Sequence, residues 1–143
     1  MAGKKKIVLL DTNFLLIPAQ FKVDIFAELG RICDFSYEVV VLEATVNELQ
    51  DIMEDKTASA KDRRAAGLGL QLIKAKNVRV IKVERKVFKT TDKAILEFAV
   101  AGNRLEHRSV FVATQDKELK DNLRTRGVGV IILRQKQHLA LYL

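Results

Sequence analysis

Short apolar runs recur along the chain, and segments with a helical pattern lie between them. Most positions in these runs are Val, Ile or Leu, and the runs cover residues 7–10, 39–42, 78–83, 109–114 and 128–133. Strands that are apolar at nearly every position are typical of a sheet buried on both faces. The pattern therefore predicts five β-strands.

The intervening segments repeat apolar residues every three or four positions, as an amphipathic helix does. These segments are residues 20–32, 45–53, 58–76, 91–102 and 117–127. Strands that alternate with helices pair in parallel through right-handed crossovers. We therefore expect an α/β fold, a three-layer α/β/α sandwich around a central parallel five-stranded sheet.

The length of 143 residues suits one domain over residues 1–143, with residues 1–5 as a frayed basic terminus. No apolar stretch approaches the roughly 20 residues that span a bilayer, and the N-terminal lysines do not introduce a secretory signal. We expect a cytoplasmic protein without membrane contact. Cys33 lies among apolar neighbours, which predicts a packed thiol.

Four acidic residues follow the predicted strands. Asp11 ends the first strand, Glu48 lies in the first turn of the next helix, Asp92 opens the helix after the third strand, and Asp116 follows the fourth. Ligands of an open α/β sheet gather beyond the carboxyl ends of its strands. A parallel sheet would bring all four side chains to one edge.

Each acid also has a structural explanation. Thr45 and Glu48 have the spacing of a capping box, and Asp92 and Asp116 follow threonines at helix starts, where an acid is stabilising. Asp11 is harder to explain in this way, because it follows a buried strand and has no cation beside it in sequence. Taken singly, three acids suit a structural role, but that role does not explain why they share an edge.

Carboxylates that cluster within a few ångströms raise one another's pKa unless a cation lies among them. Oxygen ligands without His or Cys select a hard ion, Mg²⁺ or Mn²⁺, which can activate a water and stabilise a leaving oxygen. The formal net charge of +7 would attract RNA or DNA to the surface. A basic protein with an acidic metal pocket is consistent with a nuclease.

Four segments resemble the acidic motifs of the PIN-domain ribonucleases, in the same order and across nearly the whole chain. They are IVLLDTNFLL, LEATVNELQDI, KTTDKAILEFA and VFVATQDKELK. The sequence of these segments is similar to that of archaeal stand-alone PIN proteins of the VapC toxin type, and to that of PIN domains of small-subunit ribosomal RNA processing factors. The resemblance implies a Rossmann-like fold and a Mg²⁺- or Mn²⁺-dependent endoribonuclease, a VapC-type toxin or alternatively a ribosomal RNA processing nuclease.

The resemblance also implies roles for particular residues. The metal would be held mainly by Asp11, Asp92 and Asp116, and Glu48 would complete the catalytic pocket. Thr114 would orient Asp11 through a hydrogen bond.

The resemblance also implies a supporting residue at the acidic pocket and several binding partners. Asn13 would be a supporting polar residue. The partners would be an RNA substrate, a cognate antitoxin and a second copy in a homodimer. The apolar closing segment HLALYL is either a final strand or a surface that packs against that second copy.

Other features leave alternatives open. The segment 58–76 carries Lys61, Arg63 and Arg64, which either flank an RNA groove or form a solvated helix face. His107 and His138 lack metal-ligand spacing, which favours surface positions. A receiver-like signalling domain would need an aspartate that ends the third strand, where VIKVERK has none, but a catalytically silent RNA-binding module stays possible.

Overall fold

A computed structural model describes residues 5–83 and 89–143. The strands are β1 (Lys6–Leu10), β2 (Tyr37–Leu42), β3 (Arg79–Ile81), β4 (Val110–Ala113), β5 (Gly129–Arg134) and β6 (His138–Tyr142). The helices are α1 (Ile17–Phe21), α2 (Ile25–Ile32), α3 (Glu43–Glu54), α4 (Ala60–Ala75), α5 (Thr91–Leu105) and α6 (Lys117–Thr125), and a 3₁₀ helix spans Thr12–Leu16. Apart from Lys5, the predicted frayed terminus lies outside the described residues.

The strands form one sheet in the order β3-β2-β1-β4-β5-β6. All neighbouring pairs among the first five strands are parallel, and β6 is antiparallel to β5. The α/β fold class and the parallel pairing are therefore confirmed, and β1 lies at the centre of the sheet. Asp11 follows this central strand directly.

The closing segment HLALYL forms a final strand, one of the two alternatives that the sequence left open. It pairs along β5 as β6, so the sheet has one strand more than the five predicted. The connecting turn places Gln135 and Lys136 at positive φ angles of 53° and 58°. Tight hairpin turns of this kind usually carry Asn or Gly. The sequence here carries neither, so it gave no hairpin signal.

Side chains of the sheet alternate between two apolar clusters, one on each face. Val8 and Leu10 of β1 belong to one cluster, with residues of α1, α2, α3 and α4. Leu9 belongs to the other, with residues of α5 and α6. This alternation follows from the two-residue period of a strand, and it confirms the three-layer arrangement.

The helix predicted over residues 20–32 is divided into two. Lys22 has a left-handed backbone with φ 55°, and Asp24 begins α2 by accepting a hydrogen bond from the Ala27 N–H at 3.0 Å. The apolar spacing continues across the break, since Ile25 and Leu29 are buried and Phe21 packs against the same cluster. Periodicity alone therefore did not reveal the turn.

The backbone of the edge strand β6 is covered by side chains of α2. Glu28 Oε1 accepts a hydrogen bond from the Leu139 N–H at 2.9 Å, and the Arg31 guanidinium donates to the Leu139 carbonyl at 3.1 Å. Arg31 also forms an ion pair with Glu28 at 2.8 Å. These contacts block strand addition at this point of the edge.

The ion pair and the edge contact predict an acid-sensitive contribution to stability. The hydrogen bond from Arg31, followed by that from the Leu139 N–H, lowers the pKa of Glu28 from 4.5 to about 2. Stability from this group is therefore present above pH 4.5 and is lost as the pH falls towards 2. We expect Glu28→Gln to cost about 1 kcal/mol at pH 6 and less at pH 3, as measured by urea unfolding.

Glu38→Gln is the control, because it breaks the more exposed pair between Glu38 and Arg79. An equal decrease in unfolding free energy for the two variants at pH 6 would contradict this account. So would a decrease for Glu28→Gln that is as large at pH 3 as at pH 6.

Candidate functional site

Asp11 is held at the end of the central strand by its neighbours on both sides. Its N–H donates to the Ala113 carbonyl at 2.9 Å, which continues the ladder between β1 and β4. Oδ1 accepts a hydrogen bond from the Thr12 N–H at 2.7 Å, and Oδ2 accepts one from the Thr114 hydroxyl at 2.8 Å. Asp11 as a whole residue is only 4% exposed, and these bonds define the position of its carboxylate.

The Thr114 hydroxyl connects two of the acidic segments. It donates to Asp11 and accepts a hydrogen bond from the Asp116 N–H at 3.0 Å. Asp116 in turn caps α6, because Oδ1 accepts from the Leu119 N–H at 2.8 Å. The helix-cap explanation of Asp116 is therefore correct as far as one oxygen goes, while Oδ2 takes no part in the cap.

The helix-cap explanation of Glu48 is wrong. Helix α3 begins at Glu43, two residues before Thr45, and Leu42 occupies the cap position. The Thr45 hydroxyl is buried inside the helix without a hydrogen-bond partner. Glu48 therefore lies in the second turn rather than the first, half-buried and with no cap to complete.

Asp92 lies in the first turn of α5, where Thr90 provides the cap by accepting from the Lys93 N–H at 3.2 Å. Its side chain is not required for that cap and is exposed. Asp92 is therefore available to a ligand at this edge of the sheet.

The directions of the pKa shifts of Asp11 and Asp92 indicate that these acids lie near one another. Burial is the main cause that raises the pKa of Asp11 from 3.8 to about 6, against the hydrogen bonds from Thr114 and Thr12. The negative charges of Asp92 and Glu48 raise it further. Asp11 thus belongs to an acidic group drawn from three elements.

A fifth acid, Glu118, joins this group and was not singled out from the sequence. Although Asp92 is exposed as a residue, partial desolvation of its carboxyl group is the first cause that raises its pKa, and the charges of Asp116, Glu48 and Glu118 follow. Glu118 also lines a cavity of about 290 Å³ between α5 and α6, together with Asp92. Its position two residues after Asp116 was a usable signal, but a first-turn acid is so common in helices that the position alone does not distinguish it.

Gln115 is a second residue that sequence reasoning missed. Its N–H donates to Asn13 Oδ1 at 3.0 Å, and its own side-chain oxygen accepts from the Leu133 N–H at 2.9 Å. The loop that carries Thr114 and Asp116 is thereby tied to the 3₁₀ helix on one side and to β5 on the other. This contact joins Asn13 of the 3₁₀ helix to the loop that follows β4.

The other candidate residues are not members of the acidic group. Lys61, Arg63 and Arg64 belong to the first two turns of α4. His107 is exposed and His138 is half-buried in β6. Cys33 is buried at 8% exposure, which confirms the packed thiol. Among the described helices, none is long and apolar enough to cross a membrane.

The acidic edge is not a ready-made metal cage. Within residues 5–83 and 89–143, no three Asp, Glu, His or Cys side chains are close enough to hold an ion together. Mg²⁺ does not need such a cage, since it keeps several waters and binds through one or two carboxylates. Oxygen donors that repel one another across this edge fit an ion of that kind.

The fold and this edge define the class of the protein, a Rossmann-like α/β domain with a carboxylate site beyond the central strands. Residues 8–136 match the family model described as a PIN like domain. Ribonuclease VapC4 of Methanocaldococcus jannaschii is 30% identical over 132 residues, which cover 92% of this chain and 93% of that protein. The chain therefore belongs to the PIN-domain family, as the four motifs predicted.

Solved structures share the fold at lower identity. The PIN domain endonuclease Utp24 matches with a TM-score of 0.71 and 21% identity, covering 94% of this chain and 90% of that one. A domain of a functionally unknown protein from Methanocaldococcus jannaschii matches with a TM-score of 0.58 and 18% identity, covering 90% and 91% of the two chains. Both matches support the α/β architecture.

The raised pKa of Asp11 predicts that Asp11→Asn stabilises the metal-free protein at pH 7. The folded state holds this proton more tightly than the unfolded state, so stability falls as the pH rises from about 4 through about 6. The neutral asparagine avoids this loss, which is on the order of 1–3 kcal/mol. Urea unfolding in EDTA at pH 4 and pH 7 measures the difference in unfolding free energy between Asp11→Asn and the wild type, and this difference should be small at pH 4.

Addition of Mg²⁺ or Mn²⁺ provides the matching control. It should raise the melting temperature of the wild type more than that of Asp11→Asn, because ligand binding stabilises the folded state. A variant that is less stable than the wild type at pH 7 in EDTA would contradict this prediction.

Removal of the Thr114 hydroxyl should lower the free energy of unfolding. Thr114→Val preserves the shape but leaves Asp11 Oδ2 and the Asp116 N–H without this partner, at a cost of about 1–3 kcal/mol. Thr125→Val is the matched control, since that exposed hydroxyl only donates to the Asp121 carbonyl in its own helix. Equal unfolding free energies for the two variants would show that the buried hydroxyl has no special structural role.

Proposed function

We propose that this protein is a Mg²⁺- or Mn²⁺-dependent endoribonuclease and the toxin of a VapC-type toxin–antitoxin pair. The observation that carries the proposal is the buried Asp11 carboxylate, held by Thr114 at the sheet edge and coupled to Asp92 and Glu48. Membership of the PIN-domain family and the identity to a protein named ribonuclease VapC4 support it.

The acidic residues at this edge would each have a separate role in binding the ion. Asp11 would bind the ion with a carboxylate whose orientation is set by the Thr12 N–H and the Thr114 hydroxyl. Asp116 would contribute the oxygen that does not cap α6, and the exposed Asp92 would approach from α5. Pre-organised ligands of this kind do not have to be reoriented when the substrate arrives.

The ion would polarise the scissile phosphate and lower the pKa of the attacking water. Glu48 would complete the acidic pocket, where its charge favours occupancy by a cation over an empty site. Asn13 would keep the loop after β4 in place through its bond to the Gln115 N–H.

The proposal includes partners that fit a toxin. The substrate is RNA, the regulatory partner is a cognate antitoxin, and we propose a homodimeric, cytoplasmic protein on the strength of the family resemblance. A ribosomal RNA processing nuclease would use the same acidic residues, so the chemistry does not separate these two roles.

Cleavage of a labelled RNA with single-stranded and hairpin segments tests the activity. We expect cleavage with Mg²⁺ or Mn²⁺, none in EDTA, and a loss of at least about a hundredfold in Asp11→Asn and Asp92→Asn, because each variant removes a charged metal ligand. Asp121→Asn, an exposed change on α6, is the control and should cleave normally. An Asp11→Asn protein that cleaves like the wild type would overturn the assignment.

Expression in growing cells separates the biological roles. Growth arrest by the wild type but not by Asp11→Asn would support a toxin. Normal growth together with metal-dependent cleavage in vitro would favour the processing nuclease, and RNA binding without cleavage would favour the silent module.

A further inference from the structure

The first two turns of α4 extend towards the acidic edge of the sheet. Helix α4 ends at Ala75, shortly before β3 begins at the opposite edge. Further back along the helix, Gly69 packs against the 3₁₀ helix so closely that an added Cβ would lie 2.9 Å from the Leu15 carbonyl oxygen. Lys61 lies eight residues before Gly69, which is about 12 Å further along the axis. The start of α4 therefore projects past the strand ends.

Two cations at this end of the helix line a cavity. Lys61 and Arg64 face Ala19 and Gln20 of α1 across a space of about 260 Å³. Helix α1 begins six residues after Asp11, so the cavity adjoins the segment that leads directly from the acidic edge. Arg64 also borders a groove of about 590 Å³ on the side of α3, and thus stands between two depressions.

Within residues 5–83 and 89–143, neither cation forms an ion pair with a carboxylate. In the part of the chain that the structure describes, the ion pairs are Glu28 with Arg31 and Glu38 with Arg79. Lys61 and Arg64 are both exposed and outside these pairs. Two cations on one side of a cavity favour an anionic occupant.

Arg63, between them in sequence, has a different environment. Its charge contributes to the lowered pKa of Asp55, although hydrogen bonds from Thr57 are the larger cause. It is half-buried, and its Nε atom has no hydrogen-bond partner. Arg63 therefore interacts with Asp55, and it lines the groove on the side of α3 rather than the cavity shared by Lys61 and Arg64.

We propose that Lys61 and Arg64 form a phosphate-binding wall, which holds the backbone of an RNA strand along the cavity between α1 and α4. The inference rests on the proposed nuclease function, because it takes the acidic edge as the place where the strand is cut. Acids that bind a metal repel the flanking phosphates, so a neighbouring pair of cations would hold the strand on the correct side. Contacts of this kind position the substrate and carry no sequence information.

The test is RNA binding in EDTA, where a fluorescein-labelled 12-nucleotide oligouridylate stays intact. The variant Lys61→Ala/Arg64→Ala is compared with Lys74→Ala/Lys76→Ala, which removes the same charge from the other end of the same helix. We expect about tenfold weaker binding for the first pair at moderate salt. The slope of log K against log salt concentration should also be smaller in magnitude by roughly 1.4, from about 0.7 for each lost phosphate contact. The second pair should stay within about twofold of the wild type.

Three results would overturn the wall. Equal losses for both pairs would show that binding depends on diffuse charge, and no loss for either would place the RNA elsewhere. Tighter binding of a polyglutamate peptide than of the oligouridylate at the same ionic strength would assign the cavity to an acidic protein. Melting temperatures of both variants confirm that folding is unchanged.

The binding assay is independent of the cleavage assay. If the wild type binds the oligouridylate through Lys61 and Arg64 but never cleaves RNA with metal, the wall stands and the nuclease assignment fails. If cleavage depends on metal and Asp11 while both double variants bind equally, the nuclease stands and the wall fails.

Discussion

The hydrogen bonds of the Thr114 hydroxyl hold the acidic edge together. This group donates to Asp11 and accepts from the Asp116 N–H, so one buried oxygen aligns the end of β1 with the start of α6. The neighbouring bonds of Gln115 to Asn13 and to the Leu133 backbone keep the loop from moving away. Without this short network, no side-chain hydrogen bond among the described residues would connect Asp11 to the segment that carries Asp116.

Burial of Asp11 explains why the network is needed. Asp11 is only 4% exposed, so its carboxylate loses most of its hydration, and its pKa rises to about 6 in spite of two hydrogen bonds. The nearby charges of Asp92 and Glu48 increase the cost of ionisation. A divalent cation bound at this site, as proposed, would offset the repulsion and thereby stabilise the folded state.

Charge on the rest of the molecule balances this acidic edge. The formal net charge of +7 favours approach of a polyanion, but attraction to the surface does not by itself bring a phosphodiester among carboxylates. The proposed wall of Lys61 and Arg64 would supply that step. It would lie on the same α4 that packs against the 3₁₀ helix after Asp11 through Gly69 and Leu15, so that contact would also fix the position of the wall.

Much of this could be predicted from the sequence. The apolar runs identified the five parallel strands. The positions of the acids after these strands predicted the shared edge, because the carboxyl ends of parallel strands lie at one edge of the sheet regardless of how the helices pack. Tertiary structure decided the remainder. Whether Glu48 caps α3 depended on where that helix begins, and the sixth strand depended on a turn at Gln135 and Lys136 that has no local signal. The partners of Gln115 and Glu118, and the cavity beside α4, arise from contacts between distant segments, which no pattern along one chain records.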